Sequence, residues 1–205
     1  MKLYETATAP NPRRVRMFMA EKGLLEQVEC IEIDLAKGEN LTPEFVARNP
    51  MKKVPVLELD DGTCLAETMA ICRYVEEAHP ETLPLLGTSP KQKALIEQWL
   101  RWIDFYFMMP VGMCFQHTSG YFKDRMTCFP EYGQDCHGKA QEFMAFLDQH
   151  LATHDYLVGD EFSAADINAF ATLAFARVVK LRADSSLPNL SAWYERIAAR
   201  PSAKV

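Results

Sequence analysis

What this 205-residue chain lacks narrows its class before any motif is read. It has no apolar run near the roughly 20 residues needed to span a bilayer. Its opening residues, MKLYETATAP, carry none of the features of a secretory signal. It has no run of Lys and Arg resembling a nucleic-acid patch: Arg13, Arg14 and Arg16 cluster, but helical spacing splits them between faces. A formal charge of −6 and a pI near 5.4 argue against binding nucleic acid or a membrane surface through overall charge. Six cysteines (Cys30, Cys64, Cys72, Cys114, Cys128 and Cys136) contain no CxxC pair. Scattered thiols in a chain without a secretion signal are expected to be reduced, in the cytoplasm. Cys136-His137 has no second ligand pair at suitable spacing, so no metal is expected.

What is present suits one or two folded domains. Nearly half the residues are apolar, and the length allows a substantial core. Lys2 to Glu5 reads as a strand. Asn11-Pro12 reads as a helix start, with Asn as N-cap and Pro at the first helical position. Val15, Phe18, Met19 and Lys22 follow at helical spacing, and Gly23 is the expected stop. Val28 to Leu35 reads as a second strand, and Thr42-Pro43 as the start of a short helix. Val54 to Leu59 and Thr63 to Ala66 form a hairpin-like pair around Asp61-Gly62. A helix over 68–78 follows. This βαβ–ββα order is that of a thioredoxin-like domain with a mixed sheet, assigned here to residues 1–79.

Residues 80–90 hold prolines and a glycine at linker density. From 91 to 205 the pattern is helical only. Leu95, Trp99, Trp102, Tyr106, Met109 and Met113 fall on one stripe of a long helix, bent at Pro110. Thr118 to Gly138, rich in Gly, Pro and polar residues, reads as a loop, and Ala140, Phe143, Leu147 and Leu151 as another helix. Ser163 and Asp166 have capping-box spacing, with Phe162 and Ile167 placed for a hydrophobic staple. The helix behind them carries Ile167, Phe170, Ala174, Val178 and Leu181. Leu190, Trp193 and Ile197 predict a last helix ending at Arg200-Pro201.

The segment KVPVLELDDGTCLAETMAICRYV, with its order and spacing of Val54-Pro55, Asp60-Asp61-Gly62 and Glu67-Thr68, resembles the glutathione-binding half of the cytosolic glutathione transferases. The resemblance covers essentially the whole chain, strongest at 49–76 and 156–170. It implies an α/β thioredoxin-like N-terminal domain followed by an all-α C-terminal domain, a homodimer, a bacterial cytoplasmic setting, and glutathione as substrate without a metal. It also implies a cis Val54-Pro55 bond, Glu67 and Thr68 at the γ-glutamyl end, and Val54 in backbone contacts. Lys53, and less directly Lys37, would meet the glycyl carboxylate. Lys52 stands where many relatives have glycine. Ser163 and Asp166 match a buried capping box in the family and are read as folding residues.

The family usually places Tyr, Ser or Cys just after the first strand to favour the glutathione thiolate. Here the matching position is Ala9, which has neither hydroxyl nor thiol. Ala9-Pro10-Asn11 resembles instead the Nu-class disulfide reductases and the fungal nitrogen-regulator proteins, in which Asn is implicated at the sulfur. Asn11 can donate N–H to sulfur or cap the helix, and the two roles compete for its amide. Thr8 is the other donor candidate, and Tyr4 is read as packed in the strand. Tyr106, Met109 and Met113 are candidates for a second-substrate pocket, where methionine tolerates varied ligands, although core or dimer interface is the commoner use of such residues. The sequence therefore predicts a glutathione-dependent enzyme favouring thiol–disulfide exchange or peroxide reduction over conjugation. A small electrophile, disulfide or peroxide would be the co-substrate. A non-catalytic glutathione-binding or protein-interaction module is the rival reading, because the usual catalytic side chain is missing.

Overall fold

The computed structural model describes residues 1–205 and resolves into two units: Met1–Leu85 with Pro201–Val205, and Leu86–Arg200. The first is built on a four-stranded sheet of order β2-β1-β3-β4. Strand β1 (Lys2–Glu5) runs parallel to β2 (Glu29–Glu32) and antiparallel to β3 (Val56–Glu58), which pairs with β4 (Cys64–Ala66). Alternation along β1 and β3 divides the core. Tyr4 and Val56 pack with Ile33, Phe45 and Val54 on one face, and the fully buried pair Leu3 and Leu57 takes the other. Strand β2 is shorter than the apolar run suggested. The chain turns at Asp34, whose carboxylate accepts the Ala36 and Lys37 N–H groups at 2.9 and 3.1 Å.

Helix α1 (Pro10–Glu21) starts earlier than the sequence pattern indicates. Its N-cap is Ala9, not Asn11, and no side chain caps it. Pro10 sets the first helical φ, Ala9 N–H closes a turn on Thr6 O at 2.9 Å, and Arg13 N–H opens the ladder on Ala9 O at 3.3 Å. Gly23, at φ +70°, ends the helix as read, with Leu24 N–H reaching back to Met19 O at 2.8 Å. Thr42 caps the short helix α2 (Pro43–Arg48) through Phe45 N–H, and α3 (Thr68–Ala78) buries Ile71, Cys72 and Val75. Residues 201–205 return to α1: Arg13 donates to Ala203 O at 2.8 Å and Ser202 bonds Glu21.

The second unit is helical throughout. Helix α4 (Pro90–Ile103) passes through a π-helical stretch, Asp104–Met108, into α5 (Met109–Thr118). Pro110 has no N–H to offer the carbonyl four residues back, and the wider π turn lies immediately before it. Helix α6 spans Pro130–Leu151, so residues 130–138 are helix and not the loop that their composition suggested. Gly133 explains the misreading. A Cβ there would meet Thr118 Cγ2 at 2.5 Å and His117 Cβ at 3.1 Å, so this glycine permits close approach of α6 to α5 and marks no turn. Helix α7 (Ala164–Ala176) stops short of Val178 and Leu181, ending in a tight turn at Lys180 with φ +64°. Helix α8 (Pro188–Ala198) completes the unit. No helix is long and apolar enough to cross a membrane.

Ser163 and Asp166 form the reciprocal capping box foreseen from their spacing. Asp166, fully buried, accepts bonds from Ser163 N–H and Oγ, Leu157 N–H at 3.1 Å and Trp193 Nε1–H at 3.0 Å. Burial pushes its carboxyl up to about 6 against the opposing pull of those donors. Ser163 is occupied by the same network and by Ala165 N–H.

Candidate functional site

The turn between β1 and α1 presents two polar side chains without intramolecular partners. Thr8 is exposed and its hydroxyl makes no hydrogen bond; Asn11 is half-buried and its amide makes none. Because Ala9 is the N-cap, Asn11 sits at the second helical position and its side chain is not spent on capping. Proline occupies the positions on either side, so Asn11 is the one residue among the first three of α1 with a backbone N–H, and this N–H too donates to no protein group. The positive end of the helix dipole is thus expressed through Asn11.

Tyr4 is held elsewhere. It is buried, its hydroxyl donates to Glu58 Oε2 at 2.9 Å, and Arg48 lies 4.6 Å above its ring. Burial first, and the Glu58 bond second, raise its pKa above the usual phenol value. It is a sheet residue, as read.

The second cluster of candidates is assembled by β3, β4 and α3. The Val54-Pro55 bond is cis. The register Val56↔Ala66 leaves Val54 and Thr68 two residues beyond the last pair on either side. Between Ala66 and Thr68, Glu67 is exposed at φ +71°, ψ +121°, a conformation that costs a non-glycine residue of order 1–3 kcal/mol. Its carboxylate makes no ion pair. Thr68 is buried at the first position of α3, where free N–H groups and the helix dipole favour a carboxylate. Buried Asn49 donates to Lys53 O and Asn40 to Lys52 O, both at 2.8 Å, fixing the loop before Val54 with Lys52 at φ +59°. The Lys53 side chain is exposed and makes no ion pair. Lys37 differs: its ammonium is already paired with Asp34 at 3.0 Å, and that pairing raises its pKa.

In the helical unit, Tyr106 and Met109 are exposed and Met113 is half-buried. Tyr106 lines a hollow of about 410 Å³ with Phe105, Pro110, Phe143 and Phe146, rimmed by Lys139 and Glu142. A second cavity, of about 450 Å³, has buried Cys114 in its wall with His137 and Lys180. Burial raises the Cys114 thiol, so it is not an activated nucleophile, and Cys136 is buried as well. No cluster of three potential metal-ligating side chains is assembled.

Three charged residues that the sequence reading left out of the site also shape the β1–α1 turn. Glu32 accepts Ala7 N–H, while buried Arg16 reaches Ala7 O and pairs with buried Glu5. The available signal was a charged residue between Val15 and Met17, on a helix whose neighbours are apolar.

A thioredoxin-like sheet carrying a cis-proline turn and an exposed acidic residue at the mouth of α3, followed by an all-helical unit with a buried capping box, defines the glutathione S-transferase fold. Residues 8–78 match the family model "Glutathione S-transferase, N-terminal domain" and residues 112–201 match "Glutathione S-transferase, C-terminal domain". The chain is 39% identical to "Glutathione S-transferase 2" of Saccharomyces cerevisiae, over all of this chain and 88% of that one. The crystal structure of Gtt2 from Saccharomyces cerevisiae superposes with a TM-score of 0.93 at 40% identity, covering 100% of this chain and 99% of the other. A glutathione S-transferase domain-containing protein of Marinobacter aquaeolei VT8 superposes at 0.92 with 41% identity, covering 98% and 99%. The chain belongs to the glutathione S-transferase family.

Proposed function

We propose that the protein is a cytoplasmic glutathione-dependent enzyme that turns the glutathione thiol mainly on disulfides or peroxides, with conjugation of small electrophiles as the lesser activity. The observation that carries this reading is Asn11: its amide, free of capping duty, stands at the head of α1 where Ala9 offers no hydroxyl or thiol. Glu67 would hold the α-ammonium and the Thr68 helix end the α-carboxylate of the γ-glutamyl residue. Val54 and Pro55 would align the cysteinyl backbone, and Lys53 would meet the glycyl carboxylate. Lys37 could join it only by giving up Asp34.

The chemistry follows from what an amide can do. It cannot remove a proton, so the glutathione proton leaves to solvent, and the Asn11 N–H groups and helix dipole favour the thiolate that remains. The thiolate attacks one sulfur of a disulfide. A new glutathione–sulfur bond forms, the old bond breaks, and the departing thiolate takes a proton. Thr8 is the alternative donor, and Tyr106, Met109 and Met113 would contact the second substrate. The exposed aromatic face around Phe105 and Phe146 supports a homodimer.

The test is glutathione-dependent reduction of bis(2-hydroxyethyl) disulfide by the native protein and by Asn11→Ala. Loss of an oxyanion-type donor predicts a fall in kcat of roughly 100- to 1,000-fold, with the fold unchanged by circular dichroism. An unchanged rate moves the role to Thr8. No native rate, with glutathione bound, leaves conjugation or the non-catalytic module.

A further inference from the structure

The turn that carries Thr8 and precedes Asn11 is fixed from inside the domain by charge. Arg16, one and a half turns into α1, is only 8% exposed, and Glu5 at the end of β1 is 5% exposed. One guanidinium nitrogen pairs with Glu5 Oε2, and the other donates to Ala7 O at 2.9 Å. On the opposite side of the same residue, Ala7 N–H donates to both carboxylate oxygens of Glu32, at 3.1 and 3.3 Å. Thr6 adds a bond from its hydroxyl to Ile33 O at 2.6 Å, and Ile33 N–H returns to Glu5 O at 2.6 Å. The charged and titratable groups around the guanidinium are Glu5 on β1 and Glu32 and Cys30 on β2.

Burying an arginine is costly unless its charge and its donors are matched. The domain could have filled this place with an apolar side chain, as it does at Val15 and Phe18 on either side. The planar fork of arginine does something an apolar side chain cannot: it joins a strand carboxylate to a loop carbonyl in one rigid piece. With Glu32 on the amide side, Ala7 is held from both directions, one residue before Thr8 and four before Asn11.

We propose that Arg16, with Glu5 and Glu32, is a positioning unit that aims the Thr8–Asn11 donors at the glutathione sulfur and so sets the acidity of the bound thiol. This rests on the reading that glutathione binds here. The residues touch no substrate; they fix the turn whose donors do.

The experiment is titration of the ultraviolet thiolate band of glutathione bound to the native protein, to Arg16→Lys and to Glu32→Ala. Lysine keeps a positive charge for Glu5 but lacks the second arm to Ala7 O. Glu32 is exposed, so its removal threatens the fold little and keeps the proposal testable if Arg16→Lys does not fold. The expected result is a bound-thiol pKa raised by about one unit. At neutral pH that corresponds to a roughly ten-fold loss of thiolate and of kcat. The loss should recover at higher pH, with KM for glutathione within about two-fold of native, because the Glu67 and Thr68 contacts are untouched. A purely structural role would lower stability without moving the titration. A native thiolate signal with unchanged titrations in the folded variants overturns the proposal alone. Absence of any thiolate signal in the native protein overturns it together with the functional reading beneath it.

Discussion

At the scale of single residues, burial decides which reactive groups are available for chemistry. Cys72 lies on the buried face of α3, and burial pushes its thiol up to about 12, leaving almost no thiolate at neutral pH. Cys30, on β2, is the one exposed cysteine of the six. Brief treatment with a maleimide followed by peptide mapping should therefore label Cys30 first, with Cys72 labelled only after denaturation. Early labelling of Cys72 would mean that α3 opens readily. Asn11 illustrates how a residue's role depends on a neighbour. Sequence preference made it a helix cap; Pro10 starts the helix one residue ahead and leaves the amide unspent. Nothing in Asn11 itself distinguishes the two outcomes, since the same side chain serves both.

At the scale of elements, the capping box of α7 was readable because it is local. Ser163 and Asp166 are three residues apart, and their bonds run to backbone groups that any helix start exposes. The longer reach of Asp166 to Trp193 on α8 was not readable. Removing the carboxylate in Asp166→Ala leaves the Trp193 indole N–H and two buried backbone N–H groups without acceptors. The expected cost is about 3 kcal/mol or more in urea unfolding. A loss below 1 kcal/mol would mean that water replaces the carboxylate.

The pH dependence has a definite sign. The folded carboxyl titrates near 6, above its ordinary 3.8, so the native state binds this proton more tightly than the unfolded chain. The stability contributed by this difference is fully present below the unfolded value and is lost as pH rises through the folded one. Between about pH 4 and 6 the native protein should lose, from this group, on the order of 2–3 kcal/mol relative to a variant that cannot titrate. The difference between native and Asp166→Asn unfolding curves over that range measures it. A difference that does not vary with pH would contradict the assignment.

The α4–α5 passage and the start of α6 show the opposite case, in which composition misleads. The sequence predicts a bend at Pro110; the structure has a π-helical stretch, Asp104–Met108, just before it. The Gly- and Pro-rich segment before Ala140 looked like a loop. Its residues 119–129 are turn, bend and irregular chain, but 130–138 are helix: Gly133 is a contact with another helix, and Pro130 stands at the helix start where its missing N–H costs nothing.

At the scale of the whole molecule, the exposed aromatic face of the helical unit is the feature that a monomer leaves unexplained. Phe105 and Phe146 are 50% and 39% exposed beside Tyr106 and the hollow they share. If this face joins two copies, light scattering should give twice the 23.3 kDa chain mass, and the double variant Phe105→Glu, Phe146→Glu should give a monomer. Native protein that runs as a monomer would return the face to solvent or to another partner.

The sequence by itself determined the family, the order of the elements and the local geometry of the motif around Val54-Pro55 and Glu67-Thr68. These are carried by turns, caps and alternations spanning only a few residues, where local chemistry leaves few options. Only the tertiary structure decided that Lys37 is taken by Asp34, that Asn11 is uncommitted, and that Arg16 and Glu32 grip Ala7 from opposite sides. The physical reason is that each of these turns on a competition for one hydrogen-bonding group. The winner is set by the local backbone at Lys37, where the turn brings Asp34 within 3.0 Å, by the helix start at Pro10 for Asn11, and by the segments that the fold brings within about 3 Å of Ala7.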